Sequence, residues 1–140
     1  DANKAKFSWE TQKFYSMMDT LCLCQFAWGP AWQLYGPEDL VRYCKYALDW
    51  DTSIAELQEI GERRINMMRL FNQKLGFSRK DDAAPPKAFL PIEYGDGQVA
   101  QLTPEEFEAA LDAYYGFAGW DKSTGNPTPE TIKRLGLEWV

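Results

Sequence analysis

The sequence predicts a mainly α-helical domain carrying one small β-hairpin, and three observations lead there. Helix start signals recur along the chain: Pro37 followed by Glu38 and Asp39, Ser53 three residues before Glu56, Thr103-Pro104 with Glu106, and Thr128-Pro129. Proline suits a first helical turn because its missing N–H has no partner to lose there. Acidic side chains complement the positive helix end, and a Ser or Thr hydroxyl caps a free N–H. Between these signals, apolar residues recur at three- and four-residue spacing. Extended structure is suggested only in "DDAAPPKAFLPIEYGDGQVAQL", where Gly95-Asp96-Gly97 separates two short runs as a hairpin turn does.

Taken in order, residues 4 to 19 form the first helix, with Phe7, Phe14 next to Tyr15, Met18 and, on the flank, Trp9 facing a core. In "GPEDLVRYCKYALDW", Leu40, Tyr43, Cys44 and Ala47 make an i, i+3, i+4, i+7 stripe. The longest helix starts from a Ser53/Glu56 capping box and stops at Gly76. Its line Ile54, Leu57, Gly61, Arg64, Met68, Phe71, Leu75 sets a cation on an apolar stripe. Either the Arg64 stem packs while its head reaches the rim, which is the simpler reading, or a buried guanidinium pairs with a carboxylate or an anionic ligand. Gly61 on the same line implies close approach of another backbone. The last two helices begin at Thr103 and Thr128, the second closing at Gly136, and there is no internal repeat or low-complexity tract.

Composition narrows the function classes. With 140 residues, 45% hydrophobic and 15% aromatic, residues 1–140 make a single domain with a real core. Fifteen basic against 21 acidic residues leave a net charge of -6, which does not attract a polyphosphate backbone, so nucleic acid is set aside. No run approaches the roughly 20 apolar residues of a membrane span, and the start has no signal-peptide core, so no membrane partner and a cytoplasmic location are expected. Histidine is absent. That removes the commonest general base and every His-based nucleophile pair or zinc set. No G-x-G-x-x-G or P-loop pattern occurs. The carboxylate pairs Asp81-Asp82, Glu105-Glu106 and Asp49/Asp51 read as solvated turns and helix starts, and "YYGFAGW" and "FAWGPAW" as core and helix-end packing.

"DTLCLCQF" holds two of the three cysteines. A Cys22–Cys24 disulfide would close too tight a ring, and an odd cysteine count does not make a secreted disulfide framework. Buried free thiols are the simplest reading. Cys22, Cys24 and Cys44 cannot by themselves complete a Cys-ligated iron-sulfur cluster. One thiolate given to a cluster completed elsewhere stays open.

Two longer stretches carry a resemblance. "GERRINMMRLFNQKLGFSRKDDAAP" is similar to the C-terminal segment of the aldehyde:ferredoxin oxidoreductase family, G-E-R-I-x-N-L-x-R-x-F-N followed by G-x-x-R-x-D-D-x-x-P. Gly61, Glu62, Arg63, Asn66, Arg69, Phe71, Asn72, Gly76, Arg79, Asp81, Asp82 and Pro85 fall on it. "LDAYYGFAGWDKSTGNPTPETIKRLGLE" resembles the family's closing Y-Y-x-x-x-G-W-D-x-x-G-x-P-T segment, ending in L-G-L. "DTLCLC" then resembles the family's D-x-x-G-L-C element at Asp19, Leu23 and Cys24, with Cys22 in place of glycine.

The resemblance implies an α-helical C-terminal domain of a tungsten (or molybdenum) bis-pterin oxidoreductase, which converts an aldehyde to a carboxylic acid and passes electrons through a [4Fe-4S] cluster to ferredoxin. It implies Asp19 and Leu23 as pterin contacts and Cys24 as the last cluster ligand, in preference to Cys22. Catalytic groups are expected on the missing N-terminal domains, and Arg63, Asn66 and Arg69 are expected to be structural pairs on the long helix. The stretch corresponds to the last quarter of such an enzyme and is expected to be inactive and cofactor-free by itself. If the family's glycine has positive φ, Cys22 is strained by about 1 kcal/mol. The rivals are a helical interaction module that kept the fold without the chemistry, and a family relative acting on an aromatic thioester.

Overall fold

The computed structural model describes residues 2–28 and 35–140. Among them the chain forms α1 (Ala2–Thr20), α2 (Gln25–Trp28), α3 (Pro37–Leu48), α4 (Ile54–Lys74), β1 (Ile92–Glu93), β2 (Val99–Ala100), α5 (Pro104–Ala118) and α6 (Pro129–Arg134). Single 3-10 turns occur at Arg79–Asp81 and Pro86–Phe89. The mainly helical class with one hairpin is as predicted, β1 and β2 pairing antiparallel across Gly95-Asp96-Gly97. The four residues of α2 are too few to show a periodicity, so the sequence reading passed over them.

The caps follow the predicted chemistry. Thr103 accepts from the Glu106 N–H at 3.1 Å while its own N–H donates to Glu106 Oε2 at 3.0 Å, a complete capping box. At α4 the box is half made: Ser53 Oγ accepts from Glu56 N at 3.2 Å, but the Glu56 carboxylate accepts from the Thr52 hydroxyl at 2.7 Å instead. Thr128 Oγ1 caps α6 through Thr131 N at 3.3 Å.

Helix α4 is the hub of three apolar clusters. Phe14, Met17 and Met18 of α1 meet Leu40 and Cys44 of α3 and Leu57 of α4. Trp9 meets Ile65, Tyr115, Ala118 and Trp120. Leu70 meets Leu135 and Leu137 after α6. Because Met18 shares a cluster with Leu57 while Trp9 shares one with Ile65, α1 and α4 run antiparallel. They touch at the backbone. A Cβ on Gly61 would fall inside the van der Waals envelope of the Lys13 carbonyl oxygen and 3.0 Å from Met17 N, which is the close approach the sequence implied.

Several side chains face otherwise than predicted. The buried line of α4 is Leu57, Gly61, Ile65 and Arg69, with Asn66 and Leu70 beside it, whereas Met68, Phe71 and Leu75 are exposed. A strict 3,4 repeat drifts by about 20° per heptad on a 3.6-residue helix, and α1 packs along an i+4 ridge instead. Phe7 is 73% exposed because it lies two positions from Trp9, on the side of α1 away from α5. On α3, Leu40 and Cys44 are buried but Tyr43 and Ala47 are exposed. In "FAWGPAW", Phe26 is 95% exposed, Trp28 lies 6.0 Å from Tyr43 between ring centres, and residues 29–32 fall outside the described residues.

The largest correction concerns Asp82, which is no solvated turn residue. Its carboxylate receives Arg69 Nη1 at 2.8 Å and Nη2 at 2.6 Å in a bidentate pair, and the Tyr115 hydroxyl donates to it as well. Arg69 Nε donates to Gly125 O at 2.7 Å and its guanidinium lies 5.0 Å from the Trp120 ring centre. Gly125 is at φ 71, and a Cβ there would stand 2.6 Å from Arg69 Nη2, so only glycine lets the tail close over this pair. Asn66 joins the same knot by accepting from Trp120 Nε1 at 2.8 Å. The expected structural pairing thus holds for Asn66 and Arg69, while Arg63 is exposed.

Three substitutions test this packing by chemical denaturation. Asp82→Ala, which strands the Arg69 guanidinium, should lower the unfolding free energy by about 3 kcal/mol, whereas Asp81→Ala, which removes a cap on the Ser78 N–H, should cost about 1 kcal/mol. Gly61→Ala should destabilise by about 2 kcal/mol although alanine is the better helix former, since overpacking against the α1 backbone outweighs about 1 kcal/mol of propensity. A neutral or stabilised Gly61→Ala would contradict the contact.

Candidate functional site

Helix α1 ends in a Schellman turn built from "DTLCLC". The Leu23 N–H donates to Met18 O at 3.0 Å, and the Cys22 N–H donates to Asp19 O at 3.1 Å. The turn needs a left-handed residue at its corner, and Cys22 supplies it at φ 56. Cys22 is therefore a non-glycine residue in the conformation that glycine adopts without cost, which is the strain the sequence anticipated. Leu23 packs half-buried on the Phe14, Met17, Met18 cluster, the apolar contact that usually accompanies such a turn. Directly after it, the Cys24 carbonyl accepts from Ala27 N and Trp28 N, both at 3.1 Å, and opens α2.

This geometry puts Leu23 inward and Cys22 and Cys24 outward. Both loop thiols are exposed and all three cysteines are free, so buried core filling describes only Cys44. Burial pushes the Cys44 thiol above its ordinary range, and the Glu56 charge adds to that. Among the described residues no cluster of three or more Cys, Asp or Glu is arranged to hold a metal ion.

Asp19, at the last turn of α1, is 41% exposed, and both of its carboxylate oxygens have donors. Arg64 Nη1 lies 3.1 Å from Oδ2, and Gln25 Nε2 lies 2.9 Å from Oδ1. The structure combines the two readings of Arg64: its head reaches a partly open rim, the side chain 34% exposed, and there the guanidinium pairs with a carboxylate without being buried. Sequence reasoning marked Arg64 as unusual but missed Gln25 altogether. The i, i+6 spacing of Asp19 and Gln25 belongs to no regular element, so only the turn between them brings them together.

Asp19 and Arg64 stand at the edge of a cleft of about 540 Å³ between α1, α4 and α5. Gln12, Ser16, Asn72 and Tyr114 add polar groups to its wall, and Ile65 and Trp120 add apolar surface. Burial pushes the Tyr114 and Tyr115 phenols well above the usual tyrosine range; the hydrogen bond to Asp82 pushes Tyr115 the same way. Both hydroxyls therefore stay protonated at neutral pH and act as donors, Tyr114 to Gln12 and Tyr115 to Asp82.

Comparison with known proteins adds a family to this geometry. Residues 1–137 match the family described as aldehyde ferredoxin oxidoreductase, domains 2 & 3. The chain is 34% identical over 132 residues to the tungsten-containing aldehyde ferredoxin oxidoreductase of Pyrococcus horikoshii, an alignment covering 91% of this chain and 20% of that protein. To the enzyme of the same name from Thermococcus kodakarensis it is 33% identical over 131 residues, covering 90% of this chain and 20% of the relative. Among solved structures, the active site complex BamBC of benzoyl coenzyme A reductase with 1,5 dienoyl-CoA shares the fold at a TM-score of 0.78 and 22% identity, over 96% of this chain and 19% of that one. The chain thus spans about a fifth of the length of the curated relatives it matches. It belongs to the aldehyde ferredoxin oxidoreductase family, matching within the part described as domains 2 & 3.

Proposed function

We propose that this chain is the C-terminal part of a tungsten-pterin aldehyde:ferredoxin oxidoreductase, in which Asp19 and Leu23 contact a pterin and Cys24 is one ligand of a [4Fe-4S] cluster. The observation that carries the reading is the turn at Cys22. Its left-handed backbone is one that a glycine at that place of a D-x-x-G-L-C element would adopt without strain, and Cys24, two residues on, is exposed. A cluster of this type takes four thiolates, so the other three come from chain outside these residues.

The residues present fit the groups they would hold. Asp19 has four lone-pair sites, of which Arg64 and Gln25 use two, so it can still accept from N–H donors of a pterin edge. Leu23 presents backbone at an irregular helix end while its side chain stays on the core. When bound, the tungsten bis-pterin supplies the two-electron oxidation of an aldehyde to a carboxylic acid, and the cluster relays the electrons toward ferredoxin; molybdenum in place of tungsten would serve the same chemistry. The chain's own part is to orient one side of the cofactor and to cover it. An exposed apolar face of α4 (Met67, Met68, Phe71) continuing onto Trp139 lines a groove of about 410 Å³ and is where the remaining domains would pack.

Iron analysis of the intact enzyme tests the assignment. Cys24→Ser should lose most of the cluster iron, and unchanged iron would remove Cys24 from the ligand set. Cys22→Gly should keep its iron and gain up to about 1 kcal/mol of stability from relief of the left-handed strain, read as a raised melting temperature. A lowered melting temperature would mean that Cys22 is held there by interactions of its own.

A further inference from the structure

The carboxylate of Asp19 joins two elements that flank the cysteine loop. Arg64 reaches it from α4 and Gln25 from the start of α2, so residues 19–25 lie within a ring closed by side chains as well as by backbone. Arg64 is anchored in turn, its Nη1 standing 3.3 Å from Ser16 Oγ on the buried face of α1, one turn before Asp19. The α1–α4 contact at Gly61 fixes how far along α1 the Arg64 side chain arrives.

We propose that Arg64 is a positioning residue, holding the loop that carries Cys22 and Cys24 through the Asp19 carboxylate and Gln25. A turn whose corner is a strained non-glycine residue opens more readily than a glycine turn, and a charged latch across it offsets that tendency. The latch also orients Asp19 so that its unused lone pairs face away from α4. That second consequence rests on the function proposed above; the hold on the loop does not.

Amide hydrogen exchange tests the latch. In the cofactor-free protein, Arg64→Gln should speed exchange at the Cys22, Leu23, Ala27 and Trp28 amides, which bond within the two turns, by about two- to fivefold, the range expected for losing a partly exposed ion pair. The Trp120 amide, bonded to Tyr115 O at the end of α5, should be unchanged, and Arg64→Lys should stay close to wild type at every position. Unchanged rates in the cysteine loop, or a parallel rise at Trp120 that marks general loosening, would overturn the proposal. Iron content separates it from the cofactor reading: if Cys24→Ser keeps its iron while the loop amides respond to Arg64→Gln, the cluster assignment falls and the latch stands. If the amides do not respond, the latch falls whatever the iron shows.

Discussion

The backbone contact between α1 and α4 at Gly61 is the constraint on which the rest of the structure depends. A helix pair separated by side chains could slide by a fraction of a turn; one in which a carbonyl oxygen occupies the space of a missing Cβ cannot. The register set there puts Trp9 beside Ile65, Met18 beside Leu57, and Ser16 and Asp19 within reach of Arg64. It therefore decides where α1 ends, and the end of α1 is the cysteine loop. Packing in the middle of the helix pair is linked directly to the position of Cys24.

A second fixed point lies at the other end of α4. Arg69 engages all three of its side-chain nitrogens in the fold: two bonds to Asp82, one to Gly125, and a face against Trp120. Arg79 adds a similar tie from the following 3-10 turn, donating to Asp112 at 2.6 Å and to Lys122 O at 2.6 Å. Asn66, Arg69, Asp82, Tyr115 and Trp120, all from the family's two long motifs, therefore meet in one structural knot. Motif identity and catalytic identity are different things here: the densest motifs hold the tail onto α4 and α5, and the short Cys-bearing element carries the cofactor chemistry proposed for the chain.

What the sequence disclosed and what it withheld follow from the range of the interactions. Caps at Ser53, Thr103 and Thr128 are local, so three or four residues sufficed to read them. The close approach at Gly61 was legible because a glycine in a long helix needs a reason. The buried line beyond Gly61 was not, since Ile65 and Arg69 are chosen by where α1 crosses, which no local spacing records. Asp82 looked like half of a hydrophilic Asp-Asp pair until its partner 13 residues earlier was in place. At the candidate site, the residues Asp19, Leu23 and Cys24 were found through a family pattern, whereas the partners that hold Asp19 were not. Gln25 sits in a turn with no periodicity, and Arg64 lies 45 residues away.

The account of the site comes down to one thiolate on one strained turn. Cys22 adopts a left-handed backbone as a glycine would, and Cys24, two residues on, is exposed and so open to the cluster ligation proposed for it. The most direct measurement is an iron-edge anomalous difference map from crystals of the cofactor-loaded enzyme. The account predicts iron density at the Cys24 thiolate, none at Cys22, and Cys22 still at positive φ. Iron bonded to Cys22 instead, or no iron beside this loop, would contradict it.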